Sequence, residues 1–222
     1  ALDASTISIT ALLGGALLQF AVGDDAAVET VQVYRSASPT LDRTTDAAGA
    51  PIAVSALQSY SIALGDTTRA TLLVDGAFAS GSGWITGAGW SIADGRAGHT
   101  VGDAGAIAQD LTLTAGAVYR IAYTVTERTA GSITARIVGA TTAEAPPVAL
   151  DGTHVARLVA PTAPIGLSFA ASADFDGSLD DVTLYLETSG CLEQGNHFLW
   201  LEPLNADAAP GPLSGPYIVE IL

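Results

Sequence analysis

Apolar and polar positions alternate along most of this chain in short runs, the period of a half-buried β-strand and not the 3.6-residue stripe of a helix. In the run Leu111 to Val125, with a turn at Ala115 and Gly116, Tyr119, Ile121, Tyr123 and Val125 share one face and Arg120, Ala122 and Thr124 the other. Similar runs predict strands at Ser5 to Leu12, Ala16 to Val22, Glu29 to Ser36, Pro51 to Ala56 and Ser59 to Leu64. Gly, Asp, Ser and Pro punctuate them, and Ser38 to Ala50 reads as an exposed, turn-rich loop. The fold class expected is all-β. The apolar stretch Ala11 to Val22 contains Gly14 and Gly15 and follows no basic segment, so it reads as a hairpin and not as a targeting or membrane segment.

At 222 residues the chain is long for one sandwich of about 100 residues and suits two. The strings LVDGAF (from Leu73), SGWITGAGWSIADGRA (from Ser82) and SADFDGSLDDVTLYLE (ending at Glu187) open, continue and close one domain, residues 73–187. The flanking pieces, residues 1–72 and 188–222, read as two halves of another. A domain set inside a domain is a modular build that suits binding and display.

The flanking halves resemble a fibronectin type III domain of the kind found in phage tail proteins. The resemblance rests on the strand ending in Tyr34, Arg35 and Ser36, and it implies the family's penultimate and final strands at FLWLEPLN (Phe198 to Asn205) and GPYIVEIL (Gly215 to Leu222). That family places a Tyr at the start of its penultimate strand, bonded back to the chain; here His197 or Phe198 stands there, and only His197 can donate such a bond. Pro203 removes a ladder donor and argues for an edge or a bulge. The inserted segment resembles the jelly-roll, carbohydrate-binding-like modules of glycoside hydrolases and of phage tail and fibre proteins.

Together the resemblances imply a non-enzymatic virion appendage of a tailed phage or gene transfer agent: a tail fibre, spike or baseplate-periphery protein, extracellular after release. Its expected partners are other tail, baseplate or capsid proteins and host cell-surface polysaccharide, with a homo-oligomer, trimeric by analogy with fibres. Two alternatives stay open: a purely structural spacer, and a carbohydrate-binding module of a bacterial surface or secreted enzyme.

Composition narrows the partners. A net charge of −15, with eight Arg and no Lys, repels polyanions, so nucleic acid is not an expected partner. Cys191 is the sole cysteine, which leaves the fold to rest on packing without an intrachain disulfide. His99, His154 and His197 lie in no metal-ligand spacing, and no nucleophile elbow, P-loop or dinucleotide fingerprint occurs.

The densest polar cluster is Asp174, Asp176, Asp180 and Asp181 around Gly177, an oxygen-rich set that suits a hard cation. If Val182, Leu184 and Leu186 face the core, strand parity turns Asp180 inward, where a carboxylate needs a cation or several hydrogen bonds. Asp181, Thr183 and Tyr185 would then face out. The jelly-roll resemblance implies a structural Ca²⁺ near the opening and closing motifs and nominates Asp75, Asp180 and Asp181, although Ala77 stands where an acidic residue is common. Trp84 and Trp90, embedded in glycines, present flat faces that can stack on sugar rings or anchor a core. With Tyr185 they are the candidate glycan contacts, while Tyr119 and Tyr123 read as core and Trp200 as the central core residue of the flanking domain.

Overall fold

The computed structural model describes all 222 residues and is built of seventeen β-strands and their turns. No helix is long and apolar enough to cross a membrane. The chain divides into two compact units: Ala1–Arg69 with Thr188–Leu222, and Ala70–Glu187.

The flanking unit begins with β1 (Leu2–Leu12), β2 (Gly15–Val22), β3 (Thr30–Ser36), β4 (Ile52–Ala53) and β5 (Ser59–Gly65). The inserted unit follows with β6 (Ile85–Thr86), β7 (Trp90–Ala93), β8 (Arg96–His99), β9 (Ala106–Asp110), β10 (Val118–Ala130), β11 (Ile133–Val138), β12 (Thr142–Glu144), β13 (Gly152–Val159), β14 (Gly166–Ala171) and β15 (Asp176–Leu186). The chain then completes the first unit with β16 (Gly195–Leu204) and β17 (Ser214–Ile221).

The flanking unit is a sandwich of a three-stranded sheet, β1-β2-β5, and a four-stranded one, β17-β16-β3-β4. Period-two burial explains it: Ala16, Leu18, Phe20 and Val22 of β2 meet Val31 and Val33 of β3, Leu199 and Leu201 of β16, and Val219 and Ile221 of β17 in one core. Trp200 falls on the opposite face of β16, directly across from Tyr34, so it is not the centre of that core; Leu199 and Leu201 take the inward parity. The loop expected to be exposed folds back on this sheet. Arg35 N–H donates to Asp46 O and Ala48 N–H to Val33 O, and Arg43 reaches the buried Glu202 at 2.8 Å.

Two residues flagged in the sequence find their reasons here. His197 is buried, and its Nε2 lies 2.8 Å from the Glu193 carbonyl; a carbonyl only accepts, so Nε2–H donates and the ring bonds back to the chain four residues upstream. Pro203 sits beyond the last pair of β16 with β17, where only the β3 side is laddered, so it lies at a local edge and not in a bulge. Its carbonyl accepts from Gly211 N–H, so its nitrogen faces the side where pairing with β17 has ended at Leu201, and no ladder donor is lost.

The inserted unit packs two five-stranded sheets, β13-β10-β15-β8-β7 and β12-β11-β14-β9-β6, as a jelly-roll sandwich in which the chain crosses repeatedly from one sheet to the other. Its core draws Phe78, Trp84, Ile107, Tyr119, Ile121, Tyr123, Phe169, Phe175, Leu179 and Leu184 from both sheets and the opening loop. The unit begins at Ala70, ahead of Leu73, because Leu72 N–H donates to Leu184 O and Thr71 Oγ1 accepts from Leu184 N–H. Gly76 continues this contact by accepting from Val182 N–H at 2.9 Å; a Cβ there would overlap the Val182 carbonyl.

A β-bulge in β15 changes the parity read from the sequence. Ala122 pairs with Thr183, but two residues on, Thr124 pairs with Asp180, so β15 carries one extra residue, Asp181, in the left-handed region at φ 49°. Above the bulge Val182 and Leu184 enter the core; below it Leu179 does. Asp180 therefore points off the core face, where parity without the bulge would place it inside.

Candidate functional site

The aromatic candidates are interior. Trp84 is 9% exposed, packs at 4.8 Å on Phe78 and donates Nε1–H to Asp75 O at 2.9 Å. Trp90 is 7% exposed and meets His99 edge-on at 5.0 Å and Phe175 at 6.2 Å. The glycines around them mark tight turns that fold both rings inward, with Gly89 at φ +79° set against the His99 ring. Neither indole offers a face to a sugar.

Tyr185 is 1% exposed, although its parity opposes that of Val182 and Leu184. The reason is its cross-strand partner, Arg120, which hydrogen-bonds it and also donates to Glu187 at 2.8 Å. Arg157 completes the cluster with bonds of 2.7 and 2.9 Å to the same carboxylate. These bonds, that of Arg157 foremost, hold the Glu187 carboxyl down to about 2 against the opposing effect of burial. Tyr185 thus belongs to a buried charge ladder and not to an open platform.

Of the carboxylates nominated for calcium, Asp75 and Asp180 accept local hydrogen bonds, while Asp181 is exposed at the bulge. Asp75, itself at φ 56°, accepts from the N–H groups of Ala79, Ser80 and Ser82 and from Ser80 Oγ at 2.8–3.2 Å. Those bonds, led by Ser80 N–H, pull its carboxyl below the usual range. Four donors aimed at one carboxylate present positive ends where a cation would sit, so this residue set does not fit Ca²⁺. Asp180 accepts from Asp181 N–H, Asp174 from Ser172 Oγ and Asp176 from Thr129 Oγ1, and no three His, Cys, Asp or Glu come together as metal ligands.

The structure instead shows an open groove of about 590 Å³ in the inserted unit. It lies where β12, an edge strand of one sheet, comes beside β13, an edge strand of the other. Ala145, Pro146, Pro147 and Val148 form one wall and Ala156 and Leu158 the other, with Tyr123 and His154 between. Tyr123 packs edge-on against Phe169 at 4.9 Å and lies 5.7 Å from the His154 ring. Burial alone pushes the Tyr123 hydroxyl up to about 12. Arg157 and Glu144 stand at the rim, paired with Glu187 and Arg136 respectively.

Alternation placed Tyr123 correctly on the apolar face but said nothing of a groove beside it. The available signal was the Pro146-Pro147 pair, which breaks the chain between two edge strands, followed by the alternating His154, Ala156 and Leu158.

No family model matches the chain, and no curated protein matches it. Among solved structures it is similar to a family 29 carbohydrate-binding module at 15% identity and a TM-score of 0.38, over 55% of this chain and 89% of that one. A mutant of such a module complexed with cellulohexaose gives 15% identity and a TM-score of 0.38, over 54% and 90%. Likeness at this level carries no argument about ligand or activity.

Proposed function

We propose that this chain is a non-catalytic attachment protein whose inserted jelly-roll unit binds carbohydrate and whose flanking unit, a fibronectin type III-like sandwich, mounts it on a larger assembly. The observation that carries the reading is the groove: open, walled by apolar side chains, and at about 590 Å³ within the roughly 300–1,000 Å³ of ligand pockets. The mount is supported by the three-plus-four strand arrangement and by the bond from His197 back to Glu193 O. A second sandwich spliced between β5 and β16 leaves the first one's core intact, and weak sugar contacts gain strength when many copies act together.

The assembly proposed is a virion appendage of a tailed phage or gene transfer agent, with tail, baseplate or capsid neighbours and host polysaccharide as the target. Binding of the full chain to an array of bacterial and plant polysaccharides tests the ligand class. Saturable binding supports it, and the absence of binding across the array at millimolar sugar leaves the spacer reading in its place. Antibody labelling of intact particles tests the mount.

A further inference from the structure

We infer that the groove between β12 and β13 takes a neutral, polyhydroxylated ring of a glycan, with the Tyr123 hydroxyl and His154 Nδ1 as its polar contacts. The inference rests on the carbohydrate-binding reading and assigns it a site.

Tyr123 is the first observation. It is 99% buried, since 1% of its surface is exposed, and it lines the groove, yet its hydroxyl makes no hydrogen bond to the protein. Burial is the sole cause of its raised ionisation point. The other buried tyrosine of the same strand face, Tyr119, does find a partner and accepts from Thr114 N–H at 2.8 Å. The ring is buried but the hydroxyl is not sealed, so it opens on the groove, where water or a ligand supplies its hydrogen bonds. Beside the groove, the Tyr123 hydroxyl stays protonated across the physiological range and offers one donor and two acceptor lone pairs.

His154 supplies the complement. Its Nε2 lies 2.9 Å from Leu150 O, and because that carbonyl only accepts, Nε2 carries a proton; in the neutral ring Nδ1 then offers a lone pair. The pair therefore presents an acceptor beside a group that both donates and accepts, which matches adjacent alcohols. The charge balance favours a neutral ligand: Arg157 is paired with Glu187 and Glu144 with Arg136, so each rim charge already has a counter-ion. Pro146, Pro147 and Leu158 are apolar and rigid, suited to the C–H faces of a sugar ring. A polar floor between apolar walls selects a ligand with hydroxyls on its edge and carbon on its faces.

The test uses the full chain against gluco-, manno-, galacto- and rhamno-configured neutral oligosaccharides and one uronic-acid oligosaccharide, by calorimetric titration. Tyr123→Phe keeps the ring and removes only the hydroxyl. It is expected to leave the melting temperature unchanged or raised and to weaken the neutral sugar that binds by about five- to tenfold, the worth of one hydrogen bond. Ala156→Phe, which fills the groove, is expected to abolish binding. Binding that survives both substitutions overturns the groove assignment while the carbohydrate reading stands. Preference for the uronic-acid ligand overturns the neutral class, and no binding to any sugar overturns both readings. A fall in melting temperature for Tyr123→Phe shows that the hydroxyl is structural and also overturns the assignment.

Discussion

Replacing Trp84 with Ala separates a core indole from a sugar platform. An aromatic side chain buries about 150–250 Å², and at about 25 cal/mol per Å² this is worth about 4–6 kcal/mol as an upper bound. Truncations of large buried aromatics cost about 3–5 kcal/mol. Trp84 also loses its bond to Asp75 O and its contact with Phe78, so about 4 kcal/mol is expected. For a unit the size of Ala70–Glu187, each kcal/mol moves the midpoint by about 4 °C, which gives a fall of about 15 °C. Calorimetry on the full chain reads the midpoint, and hydrogen exchange of peptides from β9 and β10 assigns it to the inserted unit. Trp84→Phe restores packing on Phe78 but not the hydrogen bond and should recover most of the loss. A melt within about 3 °C of the parent, together with lost polysaccharide binding, would refute the reasoning.

Glu187 links the inserted unit to pH. Its carboxyl is held at about 2 against an ordinary 4.5, so its stabilisation is complete above about 4.5 and is lost as pH falls towards 2. Acid titration of the melting midpoint should show this loss, and Glu187→Gln should flatten the curve between those values; an unchanged slope contradicts the ladder with Arg157 and Arg120. Gly76→Ala places a Cβ against the Val182 carbonyl and should destabilise by about 2–4 kcal/mol through overpacking and a strained Val182 N–H bond. A urea midpoint equal to the parent's would show that the backbone can part there at no cost. Chelation with EDTA should leave the melt unchanged, because the Asp75 carboxylate is taken by four protein donors. A fall that Ca²⁺ reverses would show that those donors give way to a cation.

Much of the strand content was legible because alternation is local. The runs ending at Val22, Ser36 and Val125 bury the positions their period predicts, and the opening and closing strings of the inserted unit do meet, Gly76 against Val182. Local reading failed where a partner strand decides. Asp180 and Tyr185 were assigned by unbroken parity, but the extra residue at Asp181 exists only relative to β10, and Tyr185 is covered only because Arg120 lies across from it. Trp200 reads as core from the sequence, while its neighbours Leu199 and Leu201 hold the inward face.

The candidate site divides in the same way. Glycine-flanked Trp84 and Trp90 left a sugar platform and a core anchor both open, since sequence records a flat apolar ring but not whether the adjoining turn closes over it. The groove is written nowhere in order: its floor comes from β10, one wall from the Pro146-Pro147 turn and the other from β13. Sequence alone settled that this polypeptide alternates, turns often and forms β-sandwiches, because side-chain period and turn chemistry act over a few residues. Tertiary structure alone decided which aromatics are sealed, which carboxylates are already satisfied and where a concave surface opens, because each depends on strands that meet only after folding.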